Sequence, residues 1–389
     1  MPLNIYKVGG CVRDELMGKE PKDIDYCVVG ATEDEMVNLG FLAIEASSFP
    51  VFLHPDTRDE YALARTERKN DSGGYHGFDV NSDPSVTIED DLFRRDLTIN
   101  AIAKNDKGDY IDPFNGRQDI ENKVIRHVSE HFVEDPVRAI RIARFCARWG
   151  EEWTVHESTV ELIHDMHFNG ELDNLTRERV WKELSRAVME PHAHLFFVRL
   201  REWGILKTVM GGHLNGPIAT PEFWDYDFAR LKKACEQNLP LGARISFTGL
   251  NSIDLERVKC DSDIVQFVSR LYDAMLYVDD IQDGKDVLLA FNAMNAYQNE
   301  KNRDWFIHSM NVLIGPQIGA LFLLWWDASK DVNFDSLTDE QKADKPTMYK
   351  RHINDNRAKA INEFCEFAVD KIREKFPKAK AVIDGMTSD

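Results

Sequence analysis

An apolar lead over residues 5–8 breaks at Gly9-Gly10, and a short helical pattern carrying Arg13 and Asp14 follows. After Pro21 the chain reads Asp23-Ile24-Asp25 and then Tyr26-Cys27-Val28-Val29, a run of strand-forming residues. Residues 32–35 carry the signature of a helix start, 41–51 return as extended structure, and 60–65 read as another strand. Residues 70–77 are rich in glycine and turn-formers and predict a mobile loop. A helical segment from residue 88 carries Arg94-Arg95-Asp96; a turn at Asp112-Pro113-Phe114-Asn115-Gly116 and a new segment from Asp119 follow. Short strands interleaved with short helices predict a small mixed sheet with helices.

From Asp135-Pro136 the period changes to that of a helix, with Asp135 suited to the N-cap and proline to the first turn, where its missing N–H costs little. At 3.6 residues per turn, Arg138, Arg141, Arg144 and Arg148 share one side, while Ala139, Ile142, Phe145, Cys146 and Trp149 share the other. A polar face made only of arginine, with no interleaved Glu or Lys, points to a helix that faces a ligand, because the planar guanidinium suits phosphates and base edges. A second helix from Thr176 sets Arg179, Lys182 and Arg186 opposite Val180, Leu184 and Val188. Glycines and prolines beyond residue 204 mark a boundary, and the remainder is helical in pattern with a basic tail from Lys371. The whole predicts an α+β fold: a mixed-sheet head over residues 1–133, a helical neck over 134–210 and a helical body and tail over 211–389.

Composition narrows the function classes. The chain has 389 residues, 43% hydrophobic and 30% charged, which fits several packed units. Its longest apolar run, residues 318–326, is far short of the ~20 residues that span a bilayer, and the amino terminus lacks a signal core. Six scattered cysteines without a CxxC pair argue against structural zinc and for a reducing, cytoplasmic setting. A net charge of -19 excludes indiscriminate nucleic-acid binding but leaves room for a local basic groove, and positive residues do gather between Arg117 and Arg148.

Within residues 8–25, two carboxylates two positions apart on a strand project to the same side. Asp23 and Asp25 therefore suit a hard divalent cation, and Mg²⁺ above others. Glycine backbone N–H groups approach phosphate without a Cβ in the way, and Arg13 can clamp a phosphate bidentately. Glu60 joins the Asp pair if its strand lies alongside. Of the adjacent Arg94 and Arg95, which cannot both face one way on a helix, one is expected on the triphosphate and the other on carboxylates.

With VGGCVRD, DID, RRDLTINA, IDPFNG, EDPVRAIRIARF and LTRERVWKE in that order, the first 210 or so residues resemble a class II tRNA nucleotidyltransferase, the CCA-adding family of the polymerase beta superfamily. The resemblance implies a nucleotidyltransferase palm in the head, with Asp23 and Asp25 holding catalytic Mg²⁺ and Glu60 as a third carboxylate. It implies that Gly10 and Arg13 bind the triphosphate and Arg95 the incoming nucleotide. The segment from Glu134 to Arg144 resembles the family's amino-acid template: Asp135 and Arg138 would bond the base edge of CTP or ATP, supported by Arg141 and Arg144. The implied partner is the tRNA 3′ end. Related reactions stay open, namely poly(A) synthesis and addition of CC or A alone, as does a silent RNA-binding role. Longer bacterial relatives carry an HD phosphohydrolase domain; here the His-Asp dipeptide is His164-Asp165, in the neck, so no such activity is expected.

Overall fold

The computed structural model describes residues 3–44, 49–69, 78–220, 228–278 and 281–375, without the side chains of 67–69, 78–79 and 369–375. The loop expected over residues 70–77 lies outside the described residues, as do the end of the basic tail and all of that tail's side chains. The chain divides into two compact units, residues 1–183 with 195–209 and residues 184–194 with 210–389.

The first unit holds a mixed seven-stranded sheet built from β1 (Asn4–Val8), β2 (Asp25–Val29), β3 (Leu42–Ala43), β4 (Val51–Leu53), β5 (Glu60–Leu63), β8 (Ala103–Lys104) and β9 (Tyr110–Ile111). The order across it is β3-β4-β5-β2-β1-β8-β9, and β2 with β5 is the parallel pair. A separate hairpin, β6 (Thr66–Lys69) with β7 (Phe78–Asn81), pairs antiparallel. Alternation along β2 sorts the core onto two faces. Val28 packs with Met36, Phe52, Tyr61 and Leu63, whereas Cys27 packs with Val8, Ile88, Leu92 and Ala103.

Helices α1 (Gly10–Leu16), α2 (Glu33–Asn38), α3 (Ile88–Phe93) and α4 (Gly116–Glu121) join these strands. The start expected at residue 32 is a full capping box: Thr32 Oγ1 accepts from the Glu35 N–H at 3.2 Å, and Glu35 Oε2 accepts from the Thr32 N–H at 2.8 Å. At the turn after β9, Asp112 accepts the N–H groups of Gly116 and Arg117 at 2.7 and 2.9 Å. Gly116 packs so closely that a Cβ there would meet the Thr98 carbonyl oxygen at 2.2 Å. The helices α5 (Val137–Trp149), α6 (Glu157–Phe168) and α7 (Arg177–Val188) follow.

Buried residues of α5 include Ala139, Ile142, Phe145, Cys146 and Trp149, the apolar side read from the sequence. The helix begins at Val137, one residue later than a cap at Asp135 implies; Asp135 Oδ1 nonetheless accepts the Val137 N–H at 3.1 Å.

The second unit is helical. Its apolar run forms the helix Pro316–Ser329, with Leu321, Phe322, Trp325 and Trp326 buried, and Phe291 meets Phe306, Phe322 and Trp326 ring to ring within 6.0 Å. Asp254, fully buried, takes N–H groups from Asn215 and Gly216 at 2.8 and 2.7 Å and so ties the start of this unit to the helix Ser252–Arg257. Among the described residues no helix is long and apolar enough to cross a membrane.

Candidate active site

Asp25 opens β2, and the parallel register sets Glu60, the first residue of β5, directly beside it. Asp25 shares its face of the sheet with Cys27, the face on which α3 packs through Leu92. Asp23 precedes the strand in an exposed bend. A cavity of about 330 Å³ opens here, with Asp25, Glu60, Arg65, Asp91, Arg94 and Arg95 in its walls. Burial first, and then the charge of Asp23, pushes the Asp25 carboxyl above its usual range, against the pull of Arg95. Carboxylate oxygens near one another, with room left for water and phosphate, are a donor set that a hard divalent cation fits. Among the described residues no three His, Cys, Asp or Glu side chains are placed to hold a metal ion together, so Asp23, Asp25 and Glu60 do not form a closed three-carboxylate site here.

The arginines that line the same cavity are built on Asp91, which sequence reasoning did not single out. Asp91 is 1% exposed. Its Oδ1 accepts Nε and Nη2 of Arg94 at 3.1 and 2.9 Å, and its Oδ2 accepts Nε and Nη2 of Arg95 at 3.2 and 2.9 Å. The expectation that the two arginines diverge is thus corrected. The helix ends at Phe93, so Arg94 sits at the cap and both guanidiniums turn back on one carboxylate. The usable signal was the spacing, since residues three and four apart on a helix are neighbours.

Arg95 then crosses over Gly9, whose φ is +74° and where a Cβ would meet Arg95 Nη1 at 2.6 Å. The glycine the geometry requires is therefore Gly9. At Gly10 a Cβ would meet only Arg13, whose Nη2 lies nearest at 3.6 Å.

Burial opposes ionisation of Asp91 and Asp96, but Arg94 with Arg95 in one case and Arg141 in the other hold both carboxyls well below the usual range. A group whose pKa is depressed by folding contributes stability above its unfolded pKa, about 3.9 for Asp, and loses it as pH falls below that value. The melting temperature should therefore drop steeply on acidification below about pH 4, and Asp96→Asn should flatten that limb relative to wild type. Identical acid limbs in thermal melts of the two proteins would contradict this assignment.

Arg13, expected on the triphosphate, is 4% exposed and turned inward. Its Nε and Nη2 donate to Asp14 Oδ1 at 2.9 and 2.7 Å, its Nη1 donates to Asn100 Oδ1 at 2.6 Å, and its guanidinium lies 5.3 Å from the Trp149 ring centre. In this structure the arginine braces α1 against α5 through these contacts. The arginine row on α5 is likewise engaged with the protein. Arg138 donates to the carbonyls of His131 and Arg94 at 2.9 and 2.8 Å, and Arg141 to Asp96 Oδ2 through Nε and Nη2 at 2.9 and 2.8 Å. Arg144 donates to buried Glu183 at 2.6 Å, and Arg148 approaches Asp14 at 3.5 Å. Asp135 Oδ2 accepts from Arg179 at 2.7 Å. The ligand-facing stripe is thus a row of anchored guanidiniums, of which Arg138 and Arg141 stay half-buried and Arg144 is buried. His164 and Asp165 are exposed on α6.

Comparison with known proteins places these features in context. Residues 5–126 match the poly A polymerase head domain, and residues 153–213 match the family described as a probable RNA and SrmB-binding site of polymerase A. The multifunctional CCA protein of Acinetobacter baumannii strain SDF is 47% identical over 253 residues, 63% of this chain and 61% of that protein. That of Pseudomonas fluorescens is 52% identical over 209 residues, 54% of this chain and 51% of that protein. The chain thus spans between half and two thirds of the length of these relatives. A solved CCA-adding enzyme with CTP shares the fold at TM-score 0.67 and 20% identity, covering 95% of this chain and 91% of that one. The Thermotoga maritima CCA-adding enzyme complexed with tRNA does so at TM-score 0.66 and 19% identity, covering 92% and 87%.

Proposed function

We propose that the chain is a bacterial CCA-adding tRNA nucleotidyltransferase, as its likeness to the poly A polymerase head domain and to multifunctional CCA proteins supports, and that it adds C, C and A in turn to the 3′ end of tRNA from CTP and ATP, releasing pyrophosphate. The observation that carries this reading is a single cavity of about 330 Å³ whose lining includes both Asp25 with Glu60 and Arg94 with Arg95. Carboxylates together with guanidiniums are what phosphoryl transfer needs: negative charge to hold metal ions, and positive charge where phosphate charge develops.

Asp23 and Asp25 would hold the metal, with Glu60 beside them, and Mg²⁺ is the ion that oxygen donors with several open positions favour. When bound, the metal lowers the pKa of the RNA 3′-hydroxyl and neutralises the triphosphate. The chain's own residues do the rest. Arg95, fixed by Asp91 and lying over Gly9, presents charge to the phosphates without having to reorganise. Asp135 and Arg138 at the start of α5 bear on the base edge. Arg141 and Arg144 hold that helix end in place through Asp96 and Glu183. A base edge that cannot replace the bonds these groups already make to the protein is rejected, which gives choice without a nucleic-acid template. In this division residues 1–133 are the catalytic head, 134–210 the neck with the base-selecting helix, and 211–389 a body that contacts tRNA. The reading carries with it a cytoplasmic location, where the six free thiols stay reduced.

The test is incorporation on a tRNA that lacks its terminal CCA, read at single-nucleotide resolution. CTP alone should extend it by two residues, and CTP with ATP by three. A long adenylate tract from ATP alone would favour poly(A) synthesis, and arrest after CC or a need for a CC end would favour a partial activity. No extension with any nucleotide would leave only RNA binding.

A further inference from the structure

Asn100 closes the 3₁₀ turn Thr98–Asn100 and is 7% exposed, with its amide set between two parts of the site. Arg13 Nη1 donates to Asn100 Oδ1 at 2.6 Å, and Asn100 Nδ2 donates to Asp96 Oδ1 at 2.9 Å. Asp96 Oδ2 in turn takes both Nε and Nη2 of Arg141. A continuous bond chain therefore runs from α1 to α5. At its near end the Arg13 N–H donates to the Gly9 carbonyl at 3.0 Å, so the chain starts in the glycine turn itself.

The chemistry at position 100 allows few side chains. A guanidinium only donates, and an ionised carboxylate only accepts. The group between them must accept on one side and donate on the other, in a place too buried for water to substitute. This requirement also fixes the orientation of the amide, with oxygen to Arg13 and nitrogen to Asp96. A carboxylate at position 100 would satisfy Arg13 and repel Asp96; a methyl group would leave both neighbours short of a bond. Neither change removes the other anchors, because Arg13 keeps Asp14 and Arg141 keeps Asp96.

We propose that Asn100 is a positioning residue that couples the Gly9-Gly10 turn to the base-facing helix, so that the phosphate end and the base end of one nucleotide are held in a single register. The coupling rests on the nucleotidyltransferase reading above and deepens it. Breaking the link leaves both half-sites intact and loosens their relation, so selection between bases suffers more than binding of triphosphate.

The experiment uses the full chain and a tRNA lacking CCA, and compares CTP with UTP in single-turnover incorporation. Asn100→Ala is expected to cut the preference for CTP about tenfold or more, the size of one or two buried hydrogen bonds, with a smaller change in the KM for CTP. Asn100→Asp should do worse. Combining Asn100→Asp with Asp96→Asn exchanges the donor and the acceptor while Arg13 and Arg141 each keep an oxygen to bond. It gives up the Leu97 N–H that Asp96 Oδ1 also accepts at 2.9 Å, so the regain expected is partial, at least about threefold of the lost preference. A packing role would make the two changes additive. The proposal is overturned if both single variants keep the wild-type preference, or if the exchanged pair folds and selects no better than Asn100→Asp alone. Should Asn100→Ala fail to fold, the comparison of Asn100→Asp with the exchanged pair decides. Wild-type protein that incorporates neither nucleotide strikes the underlying activity, a different result from variants that match an active wild type.

Discussion

Asp25→Ala is expected to reduce incorporation by roughly 10³-fold or more, the several kcal/mol that a metal-held charge contributes to phosphoryl transfer. The same substitution should leave the melting temperature unchanged. Asp25 stands exposed at the head of β2, so truncating its side chain takes little packing from the fold. Binding of tRNA should persist, because the carboxylate faces the reaction cavity. Single-turnover extension, thermal melting and a filter-binding isotherm check the three parts. Retained turnover in the Asp23→Ala, Asp25→Ala double variant would sink the metal assignment. Glu60→Ala tests the third carboxylate: its register beside Asp25 predicts a loss, and an unchanged rate would confine the metal to the Asp pair.

The second large effect separates two neighbouring glycines. Gly9→Ala places a Cβ 2.6 Å from Arg95 Nη1 at a backbone with φ of +74°, and Arg95 cannot swing away without leaving Asp91. The strain, about 1–2 kcal/mol, and the displaced guanidinium together should lower incorporation about 10²-fold, the scale of one lost electrostatic stabiliser. Gly10→Ala sits at the first position of α1 with only an ordinary contact at 3.6 Å, and should keep activity within about threefold while gaining up to ~1 kcal/mol of helix stability. Extension assays on the two variants in parallel decide the matter. Equal losses would show that the turn as a whole, and not the Arg95 crossing, is what activity needs.

Local pattern carried far in this chain. The strand at residues 25–29, the capping box at Thr32 and the buried side of α5 all follow from side-chain period and end chemistry, which depend on neighbours within a turn or two. The phase of the arginines on α5 was equally legible. What they reach was not: Arg141 finds Asp96 forty-five positions away and Arg144 finds Glu183 thirty-nine away, and periodicity names a face without naming what packs on it. Arg13 shows the same limit, since a motif that puts an arginine after two glycines does not say whether Phe145 and Trp149 will draw it inward. Asp91 stands between these cases. It lies three and four residues before Arg94 and Arg95, a spacing visible in the sequence, but one acid among three at the start of a helix carries no mark of the burial that makes it the shared anchor.

On the proposed reading of α5 as the base-selecting helix, its anchored guanidiniums bear on turnover as well as on choice. An incoming base edge meets groups that already hold protein partners, so each new bond is made in exchange for an old one and little net affinity accrues. A wall of that kind separates bases by the difference between two exchanges, and it does not hold its product. Under the proposed reaction, which advances three times along one growing end and changes nucleotide on the way, such a surface discriminates while letting go.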